Sequence, residues 1–224
     1  MFFWVKNVLL QQMNYMKLAV IVPDRNDRPL FLANCLKMIK AQTMQPDKVL
    51  IMNDPAIYPD CDITWRYRKA YEKVKDYDLI LLMENDDWYS SRYIETMVNQ
   101  YLTNPADIIG TNYTIYYHVG IRKWMKLTHP MRSSAMSTML RGGLTIEWGH
   151  DEFAYTDLTL WQQLKGYTFE PEQVICLGIK HGTTITGGRF HNDRLDTYTN
   201  DDCDLVWLES HVGELVDFYA KYKR

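Results

Sequence analysis

Apolar positions in the first half of this chain come in unbroken blocks. Leu18-Ala19-Val20-Ile21-Val22, Val49-Leu50-Ile51-Met52 and Leu79-Ile80-Leu81-Leu82-Met83 each run without a polar interruption. Continuous rather than alternating runs fit parallel strands covered on both faces. They recur at roughly 30-residue spacing, the size of a strand–helix–strand unit. Between them the period becomes helical. Leu32, Cys35, Leu36 and Ile39 fall at i, i+3, i+4 and i+7, behind Asp27 and Pro29, which suit a helix start. Ile63, Tyr67, Ala70, Tyr71 and Val74 repeat the pattern. Ile94, Met97, Val98, Tyr101 and Leu102 repeat it again, with Ser90 or Ser91 available as N-cap and Asn104-Pro105 as the stop.

This alternation predicts an α/β fold with a mostly parallel central sheet and helices on both faces. The second half is less regular. Asp107–Gly110 and Tyr113–Val119 read as strands, and Lys123–Leu127 as a partner for the second of these. Leu158–Lys165 reads as a helix and Val174–Leu177 as a short strand. Leu205, Leu208, Val212, Leu215 and Tyr219 predict one C-terminal amphipathic helix, mildly interrupted by Gly213, with a basic tail. No repeat or Pro/Gly/Ser linker divides the chain. Residues 17–224 therefore read as a single domain behind an apolar extension over 1–16.

Composition narrows the classes. A net charge of −3 carries no dominant basic field, which argues against nucleic acid as a partner. The four cysteines, Cys35, Cys61, Cys176 and Cys203, have no zinc-like spacing, and Cys35 and Cys176 sit in apolar segments as small core residues. A reducing, cytoplasmic setting follows as an expectation. Residues 2–10 are apolar but lack the parts of a signal peptide and are too short to span a bilayer. An extra packed segment, or a true start at Met16, is the plainer reading. Peripheral membrane contact through the N- or C-terminal segment is the sharper one.

The polar residues that follow the three apolar strands carry the chemistry. Pro23-Asp24-Arg25-Asn26-Asp27 follows the first, Asn53-Asp54-Pro55 the second and Glu84-Asn85-Asp86-Asp87 the third. In open α/β sheets ligands bind at the carboxyl ends of the strands, so these acids converge in space. Converging carboxylates repel one another and need cations. Hard oxygen donors suit Mg²⁺ or Mn²⁺, which are held by one or two carboxylates together with substrate phosphates. A nucleotide diphosphate is then the natural third party. Asp and Asn also favour turns and caps, and Asp27 reads that way. The first loop contains no Gly, unlike the phosphate-binding loop of a nucleotidyltransferase.

The stretch LAVIVPDRNDRPLFLANCLKMIKAQTMQPDKVLIMND, Leu18–Asp54, resembles the opening of a glycosyltransferase family 2 domain of GT-A fold. ILLMENDDWYSSRYIETMV resembles the metal-binding DxD region of that family. SSAMSTMLRGG and YTDLTLWQQLKGY resemble its acceptor-side segment and its "ED" helix. The resemblance spans roughly residues 17–182 and rests on the motifs together.

It implies roles. Pro23, Asp24, Arg25 and Asn26 would line the nucleotide pocket, and Asp54 would contact the base or ribose. Glu84 and Asp86 occupy the two acidic positions of DxD. Asp86 would be the metal ligand and Asp87 a second, while Glu84 and Asn85 count with the donor site. His181 would complete the metal shell. Asp157 aligns with the catalytic base. Thr156 replaces the Glu before it, so Asp151 and Glu152 stand as substitutes. Asp157 also opens an amphipathic helix, an ordinary N-cap site.

Arg132 reads as a phosphate or acceptor contact, Arg141 as a surface residue and Trp88 as core or sugar platform. The implied reaction is inverting, metal-dependent transfer of a sugar from a nucleotide diphosphate, a UDP-sugar, to a glycan or other hydroxyl acceptor. Two other classes fit less well: a non-catalytic nucleotide-sugar or glycan-binding module, and a phage-type DNA-modifying sugar transferase.

Overall fold

The computed structural model describes residues 16–55, 57–182, 191 and 193–222, so most of the apolar extension lies outside the described residues. β1 (Leu18–Pro23), α1 (Pro29–Lys40), β2 (Lys48–Met52), α2 (Ile63–Val74), β3 (Leu79–Leu82), β4 (Trp88–Tyr89) and α3 (Tyr93–Thr103) build the first half. β5 (Ile108–Thr111), β6 (Tyr113–His118), β7 (Lys123–Thr128), β8 (Thr138–Arg141), α4 (Thr156–Gln163), β9 (Gly166–Phe169) and β10 (Cys176–Lys180) continue it. β11 (Asn200–Asp201), α5 (Val206–Val212) and α6 (Val216–Ala220) end it.

The main sheet has the order β2-β1-β3-β8-β5-β9. β1 runs parallel to β2 and β3, and β5 to β9, while β8 is antiparallel to both its neighbours. Successive side chains of a strand point to opposite faces. Leu18, Val20, Val22, Leu79 and Leu81 accordingly enter one core with α1 and α3. Ala19, Ile21, Ile80 and Leu82 enter another with α2 and α4. Full burial of each large aliphatic side chain stabilises by about 1.5–3 kcal/mol, which is why these runs tolerate no polar residue. A second sheet, β11-β7-β6-β10-β4, packs on the α1/α3 side.

Several expectations need correction. Neither Ser90 nor Ser91 caps α3; its N-cap residue is Arg92, without a side-chain cap bond. Gln42 does that work instead. Its Oε1 accepts from Ile94 N at 2.9 Å, and its Nε2 donates to Ser90 O at 2.7 Å. The α4 helix starts one residue before Asp157 with Tyr155 as N-cap, so Asp157 lies inside the first turn and is no N-cap. β10 begins two residues later than Val174 and runs on to Lys180. The C-terminal helix is two short helices. Gly213, at φ +55, ends α5, and a 3₁₀ turn leads into α6. Among the described residues no helix is long and apolar enough to cross a membrane.

Candidate active site

Parallel register brings the three strand-end loops together. Pro23 stands opposite Met52, and Ile21 opposite Leu82. Asp24 N donates to Met52 O, and Met83 N to Ile21 O, each at 3.0 Å. The acid run then turns back on itself. Glu84 N donates to Tyr89 Oη at 2.7 Å, and β4 pairs with β10, Leu177 opposite Trp88. Ile179 N of β10 donates to Asp87 Oδ1 at 2.8 Å, and Asn85 Nδ2 donates to Asp24 Oδ1 at 2.7 Å. Tyr219 of α6 reaches the Asp87 carbonyl at 3.4 Å.

Within this frame one ligand atom each from Glu84, Asp86 and Asp87 lies within 4.8 Å of the others. The cations around them are unequal. Arg28 is ion-paired with Asp86, and His181 Nε2 stands 3.1 Å from Asp86 Oδ2. The His181 ring stacks on Phe31 with centroids 4.3 Å apart. Lys180, on β10, places Nζ 4.0 Å from Asp87 Oδ1.

Burial would raise the Asp86 carboxyl, but Arg28, His181 and Lys180 outweigh it and hold Asp86 well below the usual range. Burial pushes Glu84 up to about 7 against the pull of Lys180, with Asp86 and Asp157 adding to the rise. Burial also raises Asp87 well above the carboxylate norm. Lys180 is raised despite its burial, because Asp87, Tyr116 and Glu84 favour its charge. The cluster thus holds one firmly ionised carboxylate and two that are short of positive charge. Asp87 Oδ2 and Asp24 Oδ2 are buried with no hydrogen-bond partner.

Two cavities meet at Glu84, with Ala135 and Ala154 also common to both. The first is walled by Pro23, Arg25, Arg28, Asp62, Arg66 and the run Glu84–Asp86. Arg25 Nη1 is buried there without a hydrogen-bond partner. The second holds Asp157, Arg132, Lys180, Ser134 and His191. Asp157 Oδ2 accepts from Arg132 Nη1 at 2.5 Å. Burial raises the Asp157 carboxyl, and Arg132 and the amides of the α4 turn oppose that rise. A half-buried carboxyl of raised pKa at a cavity wall is suited to taking a proton.

Not every expected residue reaches this place. Pro23, Arg25, Glu84, Asn85 and Asp86 line the first cavity, with Asp24 beneath them. Asn26, in the left-handed region at φ 61, ties its loop to the next through Nδ2 to Asn53 O at 2.8 Å. Asp54 is exposed, 3.8 Å from Lys73, and lies outside the lining. Asp62 lines the cavity instead. Its Oδ2 accepts from Arg66 Nε at 3.1 Å and Nη2 at 2.8 Å.

Asp151 is clamped by Arg68 at 2.9 and 2.8 Å and lines neither cavity, nor does exposed Glu152. Arg68 holds the Asp151 carboxyl below its ordinary range, the wrong direction for a base. Thr156 is buried against Thr64. Trp88 is a core residue, and Arg141 pairs with Asp107 at the surface. His150 is exposed and lines neither cavity, whereas buried His191 bonds Tyr198 Oη at 2.6 Å.

Sequence reasoning missed Arg28, Asp62, Arg66 and Lys180. Two signals were present. Asp62 and Arg66 stand one helical turn apart, and Lys180 is a lone cation closing an apolar strand.

No protein-family model matches the chain, and no curated protein matches it. Solved structures do. S. aureus TarS 1–349 in complex with UDP superposes with a TM-score of 0.52 at 13% identity, over 73% of this chain and 60% of that one. The same protein in complex with UDP-GlcNAc gives 0.50 at 12%, over 74% and 59%. A197 from STIV gives 0.48 at 13%, over 69% and 82%. The chain spans about three fifths of the TarS structures. At such identities the likeness concerns the fold, which is α/β and GT-A-like.

Proposed function

We propose that the protein transfers a sugar from a nucleotide diphosphate donor, a UDP-sugar, to a hydroxyl acceptor, with inversion. The observation that carries this reading is the junction at Glu84. One cavity is walled by guanidinium groups and the acid run, the other holds the half-buried carboxylate Asp157, and Glu84, Ala135 and Ala154 line both. The neighbours of this fold crystallised with UDP and UDP-GlcNAc support the choice of donor.

The first cavity takes the nucleotide. Arg25 offers a buried N–H without a hydrogen-bond partner, and guanidinium geometry matches phosphate oxygens. Asp62, held by Arg66, is placed to accept from a base or ribose. In the second cavity Asp157 removes the proton from the acceptor hydroxyl, and Arg132 orients its carboxylate. Holding both substrates across one junction supplies much of the remaining rate.

The donor set fits a hard divalent cation, Mn²⁺ or Mg²⁺. Asp86 Oδ2 is engaged by Arg28 and His181, which leaves Oδ1, and Asp87 Oδ2 has no partner. Asp86 and Asp87 would hold the ion, with Glu84 and His181 beside them. When bound, the ion would offset charge developing on the leaving diphosphate.

The test is turnover of a nucleotide-sugar panel with Mn²⁺, with and without chelator. Asp157→Asn is expected to lower kcat by about 10²–10⁴-fold. Near-full turnover by that variant places the base elsewhere. Activity that survives both chelator and Asp86→Ala removes the metal from the reading. Thr156, buried against Thr64 where the family motif has a carboxylate, favours one second reading: a module that binds the nucleotide sugar without turnover. Calorimetric donor binding, with no transfer or hydrolysis on any substrate, would establish that reading instead.

A further inference from the structure

Beside the acid run, aromatic rings box in one histidine. Phe31 of α1 stacks on the His181 ring, with 4.3 Å between centroids and 24° between planes. Phe31 also meets Phe218 at 5.0 Å, Tyr219 at 6.4 Å and Tyr222 at 4.6 Å. Phe218 and Tyr219 belong to α6, and Tyr222 follows it. Tyr222 reaches the His181 ring as well, at 5.8 Å and 59°. Phe218 braces Tyr219 at 5.3 Å and Tyr222 at 5.4 Å. The His181 side chain is left with no exposed area.

An imidazole that follows the last residue of a strand is ordinarily able to turn about its side-chain torsions. Here the rings fill the space into which it would turn. What they preserve is the direction of Nε2, which stands 3.1 Å from Asp86 Oδ2. Arg28 engages that same oxygen. Two groups fixed on one oxygen stop the carboxylate from rotating, so Oδ1 keeps its direction. Partners of this kind orient the groups that ligate a metal, and their loss weakens its binding. An Nε2 already committed to Asp86, on a ring that is boxed in, is badly placed to ligate an ion itself.

We propose that His181 serves the cation site through Asp86 and not as a ligand, and that Phe31, Phe218 and Tyr222 are positioning residues that hold it there. The C-terminal segment then belongs to the donor site, a role supported by the reach of Tyr219 Oη to the Asp87 carbonyl at 3.4 Å. The role of His181 rests on the metal part of the transferase reading; the aromatic clamp does not.

The experiment uses the full chain with Mn²⁺ as probe. Calorimetry measures its Kd, and pulsed electron paramagnetic resonance detects nitrogen bonded directly to the ion. The unmodified chain is expected to bind Mn²⁺ without coupling to a directly bonded imidazole nitrogen. His181→Ala and Tyr222→Ala should raise Kd by about 10–100-fold. His181→Gln, whose amide can still donate to Asp86, and Tyr222→Phe, which keeps the ring, should bind as the unmodified chain does. Direct imidazole coupling makes His181 a ligand and overturns the proposal. So does an unchanged Kd in a folded Tyr222→Ala; Phe218→Leu, held to the same expectation, replaces that variant if it does not fold.

Nitrogen NMR of the histidine side chains without metal reads the clamp alone. His181 should carry a proton on Nε2, with a sharp signal in the unmodified chain and in Tyr222→Phe and a broadened one in Tyr222→Ala. The same sharp signal in all three overturns the clamp. Absence of any Mn²⁺ binding by the unmodified chain overturns the metal reading and the role of His181 towards it, while the NMR result still decides the clamp.

Discussion

Replacing Lys180 by methionine removes a buried positive charge and little volume. Nζ lies 4.0 Å from Asp87 Oδ1, and the side chain is almost fully buried. Two full unit charges at that distance would interact by about 4 kcal/mol at an effective dielectric constant of about 20, an upper bound here because burial raises the Asp87 carboxyl. Methionine avoids the desolvation cost that lysine carries, so part of this returns. The net loss on breaking one member of a buried charge cluster is about 3 kcal/mol. In a chain of this length each kcal/mol moves Tm by about 2–4 °C, so Lys180→Met should melt about 6–12 °C lower.

The same structure predicts how the loss is repaired. Glu84, Asp86 and Asp87 would be left with Arg28 and His181 alone, and a divalent cation is the natural replacement for the missing charge. A cation at about a hundred times its Kd stabilises by about 2.7 kcal/mol, close to the deficit. Thermal unfolding followed by calorimetry, with and without MnCl₂, reads both effects. Mn²⁺ should raise Tm in both proteins and more in the variant. A variant as stable as the parent would show that Lys180 does not balance the acid run. A deficit that Mn²⁺ leaves untouched would show that these carboxylates do not take a cation together.

The remaining expectations concern the two cavities and their walls. Asp62→Asn should raise the donor KM by about tenfold or more, the loss of one charge-assisted hydrogen bond, whereas Asp54→Asn should leave it unchanged; the reverse order in steady-state kinetics would return the base contact to Asp54. Gly178→Ala should destabilise by about 1–3 kcal/mol in urea unfolding, because a Cβ there would lie 2.5 Å from the Tyr116 ring on the neighbouring strand. His129 is held neutral by burial and Arg132, its folded value near 4 lying below the unfolded value. The unfolded chain therefore binds the extra proton between those two values, and stability falls as pH drops through that window. His129→Leu should flatten the acid side of the Tm-against-pH curve, and an unchanged slope would refute the assignment.

What could be read without coordinates divides along the range of the contacts involved. β1, α1, β2, α2 and β3 are legible because each writes its own period and each buries its own face. β8 is not. Its four residues, Thr138–Arg141, alternate no better than a loop. They become a strand only because β3 and β5, far apart in sequence, leave an antiparallel slot between them. Capping shows the same limit. Ser90 and Ser91 have the right chemistry for α3, but Gln42 arrives from the end of α1 and takes the amide they would have used. The convergence of the acids followed from strand direction alone, yet the choice between Asp54 and Asp62 did not. Both are acids in one loop, and what separates them is Arg66, which pulls Asp62 inward while Asp54 turns to Lys73 and water.

The acid run also explains why the missed residues are cations. Carboxylates gathered at a sheet edge cost free energy in proportion to their burial, and only nearby positive charge offsets it. The protein supplies that charge from two directions. Arg25, Arg28 and Arg66 stand on the side of the first cavity, and Lys180, with Arg132 holding Asp157, on the side of the second. Glu84 belongs to both linings and has the weaker claim on either set, which is why burial lifts it to about 7 while Asp86 stays ionised. A diphosphate entering the first cavity would meet the arginines, and a hydroxyl entering the second would meet Asp157. On the proposed function, the division of cations between two walls would separate the recognition of donor from that of acceptor. A substitution on one wall should alter one substrate's KM and leave the other's in place.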